Sequence, residues 1–251
     1  MFEGEFAGLD AIYQTGKILV PKPLKAFSYG KTYCLAMEHK EIGSLENGTL
    51  LGEQLADLHL DNINLIRNKQ KNSFVGSENS DREPETRFGF PVRTSCGFIP
   101  QNNQFTKTWE EFFARKIDDQ LAIIEREYHD MKPRQLWNQF LPKISSYFEG
   151  QEILPSLLHG DLWGGNAGEC SSGPIVFDPA AFYGHHEYDL AIATMFGGFP
   201  SSVFKAYHKK IPKERGFENR QQLYQLFHYL NHWSHFGGGY KSSCMSILKS
   251  L

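Results

Sequence analysis

An α+β fold in two lobes with a cleft between them is predicted for this chain by three observations. Short β-prone runs come early, helical periodicities dominate the C-terminal two thirds, and a loop rich in Gly and Asp with its own short strand interrupts the helices. With 251 residues, 40% of them hydrophobic and 14% aromatic, the chain has core material for one large domain or two lobes.

The elements follow in order. Phe2, Phe6, Leu9 and Tyr13 recur at helical spacing and Gly16 follows where a C-cap belongs, so the chain opens on a helix. Residues 24–27 and 32–37, divided by Tyr29-Gly30, read as a hairpin. Leu51, Leu55 and Leu58 share one face of the next helix. Residues 61–87 are polar, charged and nearly free of aromatics, and read as a mobile surface insertion. Extended structure resumes in "FGFPVRTSCGFIP". Thr108 and Glu111 make a capping box ahead of Trp109, Phe112, Phe113, Ile117, Leu121 and Ile124, which predicts a long helix. Further helical patterns cover roughly residues 133–148, 187–196 and 219–236.

Composition excludes several classes of partner. The 26 basic and 29 acidic residues leave a formal charge of -3 with no basic run, which disfavours nucleic acid. The N-terminus "MFEGEFAGLD" is no signal peptide, and no stretch approaches about eighteen consecutive apolar residues, so secretion and membrane spanning are disfavoured. Cys34, Cys96, Cys170 and Cys244 lie far apart without a C-x-x-C, and read as free thiols in a reducing cytoplasm.

The chemistry is concentrated in "LLHGDLWGGN", residues 157–166, and in "IVFDPA", which ends an apolar run on Asp178 before Pro179. Phosphoryl transfer needs an acid to accept the proton of the attacking hydroxyl and oxygen ligands for the magnesium that neutralises the phosphates. Asp161 and Asn166 have the D-x-x-x-x-N spacing of a kinase catalytic loop, and Asp178 stands where a metal-binding acid follows it. An amide oxygen at Asn166 binds a hard cation without adding negative charge beside phosphates. The expected roles are base for Asp161 and metal ligands for Asn166 and Asp178, with His159 orienting the loop by hydrogen bonding. Trp163 fits either a sugar-stacking face or core packing. Met37-Glu38-His39 follows a strand and fits a hinge whose backbone meets adenine, or an ordinary strand end. Asp189, in "HEYDLA", fits a brace for the catalytic loop or a plain helix-start acid. His228, His232 and His235 lie three and four apart, yet Tyr229 replaces the Glu of H-E-x-x-H and no acid completes a metal set, so packing is preferred.

The segments "LLHGDLWGGN", "FDPAAFYGHHEYDLAIATMFGGFP", "LGEQLADLHLDN", "FGFPVRTSCGFIPQ" and "YQLFHYLNHWSHFGGGY" resemble the fructosamine kinase family over the whole chain. The resemblance implies a protein-kinase-like fold similar to aminoglycoside phosphotransferases and choline kinases. It also implies ATP and Mg2+ as cofactors, and phosphorylation of the 3-hydroxyl of ketosamines on glycated proteins or small molecules, leading to deglycation. In that family a strand, a glycine-rich loop and a lysine-bearing strand come before a segment like "MFEGEFAGL", which here is residue 1. Residues 1–39 are therefore expected to be the remnant of a truncated N-terminal lobe, with 40–251 the C-terminal catalytic lobe. Glu5 resembles the helix acid that pairs the phosphate-binding lysine, and a solvated helix acid is its other reading. Apolar surface near Phe2 and Phe6 is expected to be exposed. Two other functions stay open: another small-molecule kinase of the same fold, or an inactive form that binds glycated protein or a partner.

Overall fold

Helix α1 (Phe2–Thr15) stops where the sequence predicts, at Gly16, whose φ of 62° lies in the left-handed region that a Cβ disfavours. Its buried face combines Gly4 and Gly8 with Leu9 and Ile12. A Cβ on Gly4 would lie 2.2 Å from the Arg93 carbonyl oxygen, and one on Gly8 would lie 3.1 Å from the Ala181 Cβ. Strands β1 (Pro23–Tyr29) and β2 (Thr32–Met37) form the expected antiparallel hairpin and pack against α1. Phe2 and Phe6 are half-buried, contrary to expectation. In the hairpin itself Leu24, Phe27, Tyr29 and Tyr33 are exposed.

The computed structural model describes residues 1–72 and 82–251. Helix α2 (Gly48–Asn72) runs well into the segment read from the sequence as an insertion. The reason is visible in Ile63 and Ile66, which continue the apolar stripe of Leu55 and Leu58 and are buried. Residues 82–87 are also tied down: the Asn62 amide donates to the Glu85 carbonyl at 2.8 Å and accepts from the Glu85 amide at 3.0 Å. The middle of the expected insertion, residues 73–81, lies outside the described residues.

Strands β3 (Ser95–Cys96) and β4 (Ile99–Pro100) make a small hairpin ahead of α3 (Trp109–Tyr128). The Thr108 hydroxyl accepts the Glu111 amide at 3.3 Å, so the expected cap is present, and all six apolar residues of the predicted stripe are buried. Helix α4 (Lys132–Phe140) gives way to a 3-10 stretch, Leu141–Tyr147, where one helix was predicted. Pro142 explains the change, since it has no amide hydrogen to continue the α ladder.

Strand β5 (Ser156–Leu158), strands β6 (Ala167–Cys170) and β7 (Gly173–Val176), and strand β8 (Phe182–Gly184) form two antiparallel pairs, β5 with β8 and β6 with β7. Helices α5 (Glu187–Met195), α6 (Ser201–Lys210), α7 (Phe217–Phe236) and α8 (Lys241–Ser250) complete the chain. The sequence pattern missed α6 and α8, each of which buries only three side chains, too few for a visible period. Helix α6 packs along α2, while α3, α5 and α8 pack on α7. Trp109 is the centre of the core: its indole N–H donates to the Tyr224 hydroxyl at 3.0 Å, and its ring meets Phe88, Phe112, Phe113, Phe182 and Tyr188. No helix among the described residues is long and apolar enough to cross a membrane.

Candidate active site

The two strand pairs present one loop. Strand β5 ends at Leu158 and hands the chain to His159, Gly160 and Asp161; the β6–β7 hairpin begins just after Asn166 and ends just before Phe177 and Asp178. Because Ala167 pairs with Val176, residues 166 and 177 are neighbours across the hairpin mouth, and the Phe177 amide donates to the Asn166 carbonyl at 3.0 Å. Asn166 and Asp178, twelve positions apart in sequence, are thereby brought to one edge.

Asp189, in the first turn of α5, holds the loop from behind. Its carboxylate accepts the His159 and Gly160 amides, both at 2.8 Å, so of the two roles open to it the brace is the one its geometry supports. Gly160 cannot carry a side chain here: its φ is 84° and a Cβ would lie 2.2 Å from the Ala180 carbonyl oxygen. Asp189 has a third partner, His59 Nε2 at 3.1 Å, and the other ring nitrogen of His59 meets the Tyr207 hydroxyl at 2.8 Å. The sequence reading overlooked His59. Its one signal was a polar residue four positions after Leu55 on the buried face of α2.

His159 is fully buried; its Nε2 donates to the Phe177 carbonyl at 3.0 Å and its Nδ1 accepts the Asp161 amide at 3.3 Å. Burial pulls its imidazole below the usual value, so it is a neutral orienting group joining the two halves of the site. Asn166 donates its side-chain N–H to the Asp161 carbonyl at 2.9 Å, which turns its Oδ1 away, and that oxygen has no hydrogen bond among the described residues. Asp178 is exposed, takes a left-handed φ of 57°, and likewise has no hydrogen bond to its carboxylate among the described residues. A non-glycine residue in that region carries backbone strain, a feature that clusters at functional sites.

Charge is uncompensated at this edge. Burial, with the Asp178 charge beside it, raises the Asp161 carboxyl to about 7. Burial and the same Asp178 charge raise Glu5, on α1, to about 7 as well. Glu5 thus faces the site rather than bulk solvent, and forms no ion pair with lysine or arginine among the described residues. An amide oxygen and carboxylates with open lone pairs are the donor set of a hard divalent cation that keeps most of its water, and Asn166 with Asp178 fit Mg2+ on that chemistry. No group of three or more His, Cys, Asp or Glu able to hold a metal by themselves occurs among the described residues.

The remaining candidates sort by geometry. Trp163 is 41% exposed and its ring lies over Gly165, which places it at the mouth of the loop and outside the core. Met37 ends β2, and the Glu38 amide is already committed to the Lys22 carbonyl at 2.8 Å, so among the described residues the Glu38 carbonyl and the His39 amide are the backbone groups of the expected hinge without a hydrogen-bond partner. His232 and His235 each spend Nδ1 on the carbonyl one helical turn back, and His228 is sealed in the core against Tyr188 and Phe227.

The fructosamine kinase family profile matches residues 1–251. Ketosamine-3-kinase of Mus musculus is 52% identical over 257 residues, covering 100% of this chain and 83% of the mouse protein. Among solved structures, a Haemophilus somnus 129PT protein assigned as a fructosamine-3-kinase superposes with a TM-score of 0.82 at 23% identity, covering 100% of this chain and 79% of that one. An aminoglycoside phosphotransferase superposes with a TM-score of 0.61 at 14% identity over 98% of this chain and 83% of its own, a likeness of fold. The fold is protein-kinase-like, and with a family profile matched from end to end and a relative at this identity the chain belongs to the fructosamine kinase family.

Proposed function

We propose that the chain transfers the γ-phosphoryl group of ATP to the 3-hydroxyl of a ketosamine, with ribulosamine, psicosamine and fructosamine groups on glycated proteins or small amines as the substrate class. The 3-phosphate then eliminates from the amine, so the outcome is deglycation. The substrate hydroxyl oxygen bonds to the γ-phosphorus while the bridging bond to ADP breaks, and the hydroxyl proton passes to the Asp161 carboxylate. Asn166 Oδ1 and the Asp178 carboxylate would hold Mg2+, which when bound neutralises charge on the phosphates. His159 and Asp189 keep the loop in register, Trp163 offers a ring face to the sugar, and Met37, Glu38 and His39 line the adenine edge. Residues 1–39 would contribute to the N-terminal lobe and 40–251 form the C-terminal lobe. Four free thiols fit a reducing compartment such as the cytoplasm.

The observation that carries this reading is the Asp161 carboxyl, half-buried, raised to about 7, and hydrogen-bonded within a loop that Asp189 pins at two backbone amides. Asp161→Asn is expected to leave ATP binding by calorimetry intact and to lower ketosamine turnover by a factor of about a hundred or more. Unchanged turnover would remove Asp161 from the role. Side-by-side turnover of ribulosamine and fructosamine peptides then ranks the sugars.

A further inference from the structure

Helix α2, the end of α6 and the segment ahead of β5 line a cavity of about 320 Å³ that shares no residue with the candidate active site. Leu60, Ile63, Leu154, Ile211 and Pro212 give it an aliphatic wall. Its charged residues, Arg67, Lys210, Glu152 and Glu214, sum to zero. Both cations are already neutralised: Lys210 makes two bonds of 2.7 Å to Asp57, and Arg67 lies 3.6 Å from Glu152. The remaining polar groups of interest are two imidazoles side by side, His185 and His186, with ring centres 4.7 Å apart. Each spends Nδ1 on a tyrosine hydroxyl, which leaves Nε2 for the cavity.

Those two hydroxyls, both fully buried, fix opposite tautomers. Tyr224 already accepts the Trp109 indole N–H at 3.0 Å, so its own hydrogen goes to His185 Nδ1 at 2.7 Å; the reverse would leave a buried O–H without an acceptor among the described residues. His185 therefore carries its proton on Nε2. At the other ring, Asp189 takes the Nε2–H of a neutral His59, whose Nδ1 then accepts the Tyr207 hydroxyl at 2.8 Å. The Tyr207 oxygen is left to accept from His186 Nδ1 at 3.1 Å, so His186 has a bare lone pair on Nε2. Burial pulls both imidazoles below the usual value, His186 to about 3, and both stay neutral. The cavity thus holds one donor beside one acceptor.

We propose that this cavity is a second ligand site, which takes a small neutral molecule with a primary carboxamide on an apolar body. The amide oxygen accepts from His185 Nε2–H and the amide N–H donates to His186 Nε2, while the aliphatic wall covers the body. A carboxylate would meet the His186 lone pair with a second lone pair, and an ammonium would meet the His185 N–H with another donor. The balanced charge of the lining favours neither ion.

Benzamide is the probe, titrated by NMR at about pH 8, where an ordinary imidazole is neutral. It is expected to bind with a Kd of about 1 mM or tighter, and equally well in saturating MgATP. Acetophenone, which lacks the N–H, and benzoate, which lacks it and is charged, should each bind at least about tenfold more weakly. Leu154→Trp fills the cavity from a half-buried position outside the catalytic machinery, and should abolish benzamide binding with ketosamine turnover within about twofold of the parent. No approach to saturation by about 10 mM, acetophenone or benzoate binding as tightly as benzamide, competition by MgATP, or undiminished binding in Leu154→Trp each overturns the proposal. Long-range nitrogen–proton spectra of the free protein read the tautomers without ligand or variant: His185 should carry its proton on Nε2 and His186 on Nδ1, and the same tautomer at both rings overturns the donor and acceptor pair.

Discussion

Lys116 shows how far a single residue can depart from its type. Its ammonium is 3% exposed, hydrogen-bonded to Gln101, and sits 4.1 Å from the ring centre of Phe182 and 4.7 Å from that of Phe227. The rings and the amide favour the charge, but no carboxylate among the described residues pairs with it, and burial pulls its pKa from 10.5 down to about 7. Between those values the unfolded chain holds a proton that the folded chain does not, so stability rises with pH across that window and the cost of charging Lys116 is fully felt below about 7. Lys116→Met, which keeps the stem length, is expected to be more stable than the parent at pH 7 and to lose a slope of about 1 kcal/mol per pH unit between roughly pH 7.5 and 8.5. Urea denaturation of both proteins across that range measures the difference, and parallel slopes would mean Lys116 stays charged in the fold.

Helix α1 docks through two glycines, and it carries Glu5 toward Asp178. A methyl at Gly4 must displace backbone, since its contact would be the Arg93 carbonyl at 2.2 Å; at Gly8 the nearest atom is a side-chain methyl at 3.1 Å. Alanine in a helix gains about 1 kcal/mol over glycine in propensity, which offsets the small clash at Gly8 but not the large one at Gly4. Gly4→Ala should therefore destabilise by about 1–3 kcal/mol and Gly8→Ala by less than about 1, as read from urea midpoints. The pair is informative because both changes add the same atom to the same helix. Equal effects would show that α1 docks more loosely than its glycine face implies.

For the whole molecule, α5 and α7 are joined by an ion pair sealed from solvent. Glu187 and Arg220 are each 1% exposed and meet through two bonds of 2.7 Å, with Arg220 also donating to the Arg215 carbonyl at 2.7 Å. Burial raises the Glu187 carboxyl, so it stays ionised only with its arginine beside it. Arg220→Met alone leaves a buried acid without a partner and should cost about 3–5 kcal/mol, whereas adding Glu187→Gln should return a substantial part of it. A double-mutant cycle in urea measures the coupling. Glu187 and Asp189 share the first turn of α5, so loosening that helix should also lower turnover in the single variant more than in the double.

What the sequence determined by itself was local. Gly16 as a stop, Thr108 as a cap, the hairpin through Tyr29-Gly30 and the stripe from Trp109 to Ile124 each depend on residues within a few positions of one another, and each is present as expected. The Asp161, Asn166 and Asp178 constellation was legible for the same reason, since a loop and one short hairpin contain it. Helices α6 and α8 escaped notice because their burial comes from what packs on them, and the expected insertion lost its first residues to α2 through Ile63 and Ile66. Only the tertiary structure could place His59 on Asp189, 130 residues away, or Asn231 on Cys96, 135 residues away. Hydrogen-bond direction, burial and the charge state of a carboxyl or an ammonium are properties of the assembled surroundings, and no spacing within the chain encodes them until those surroundings close.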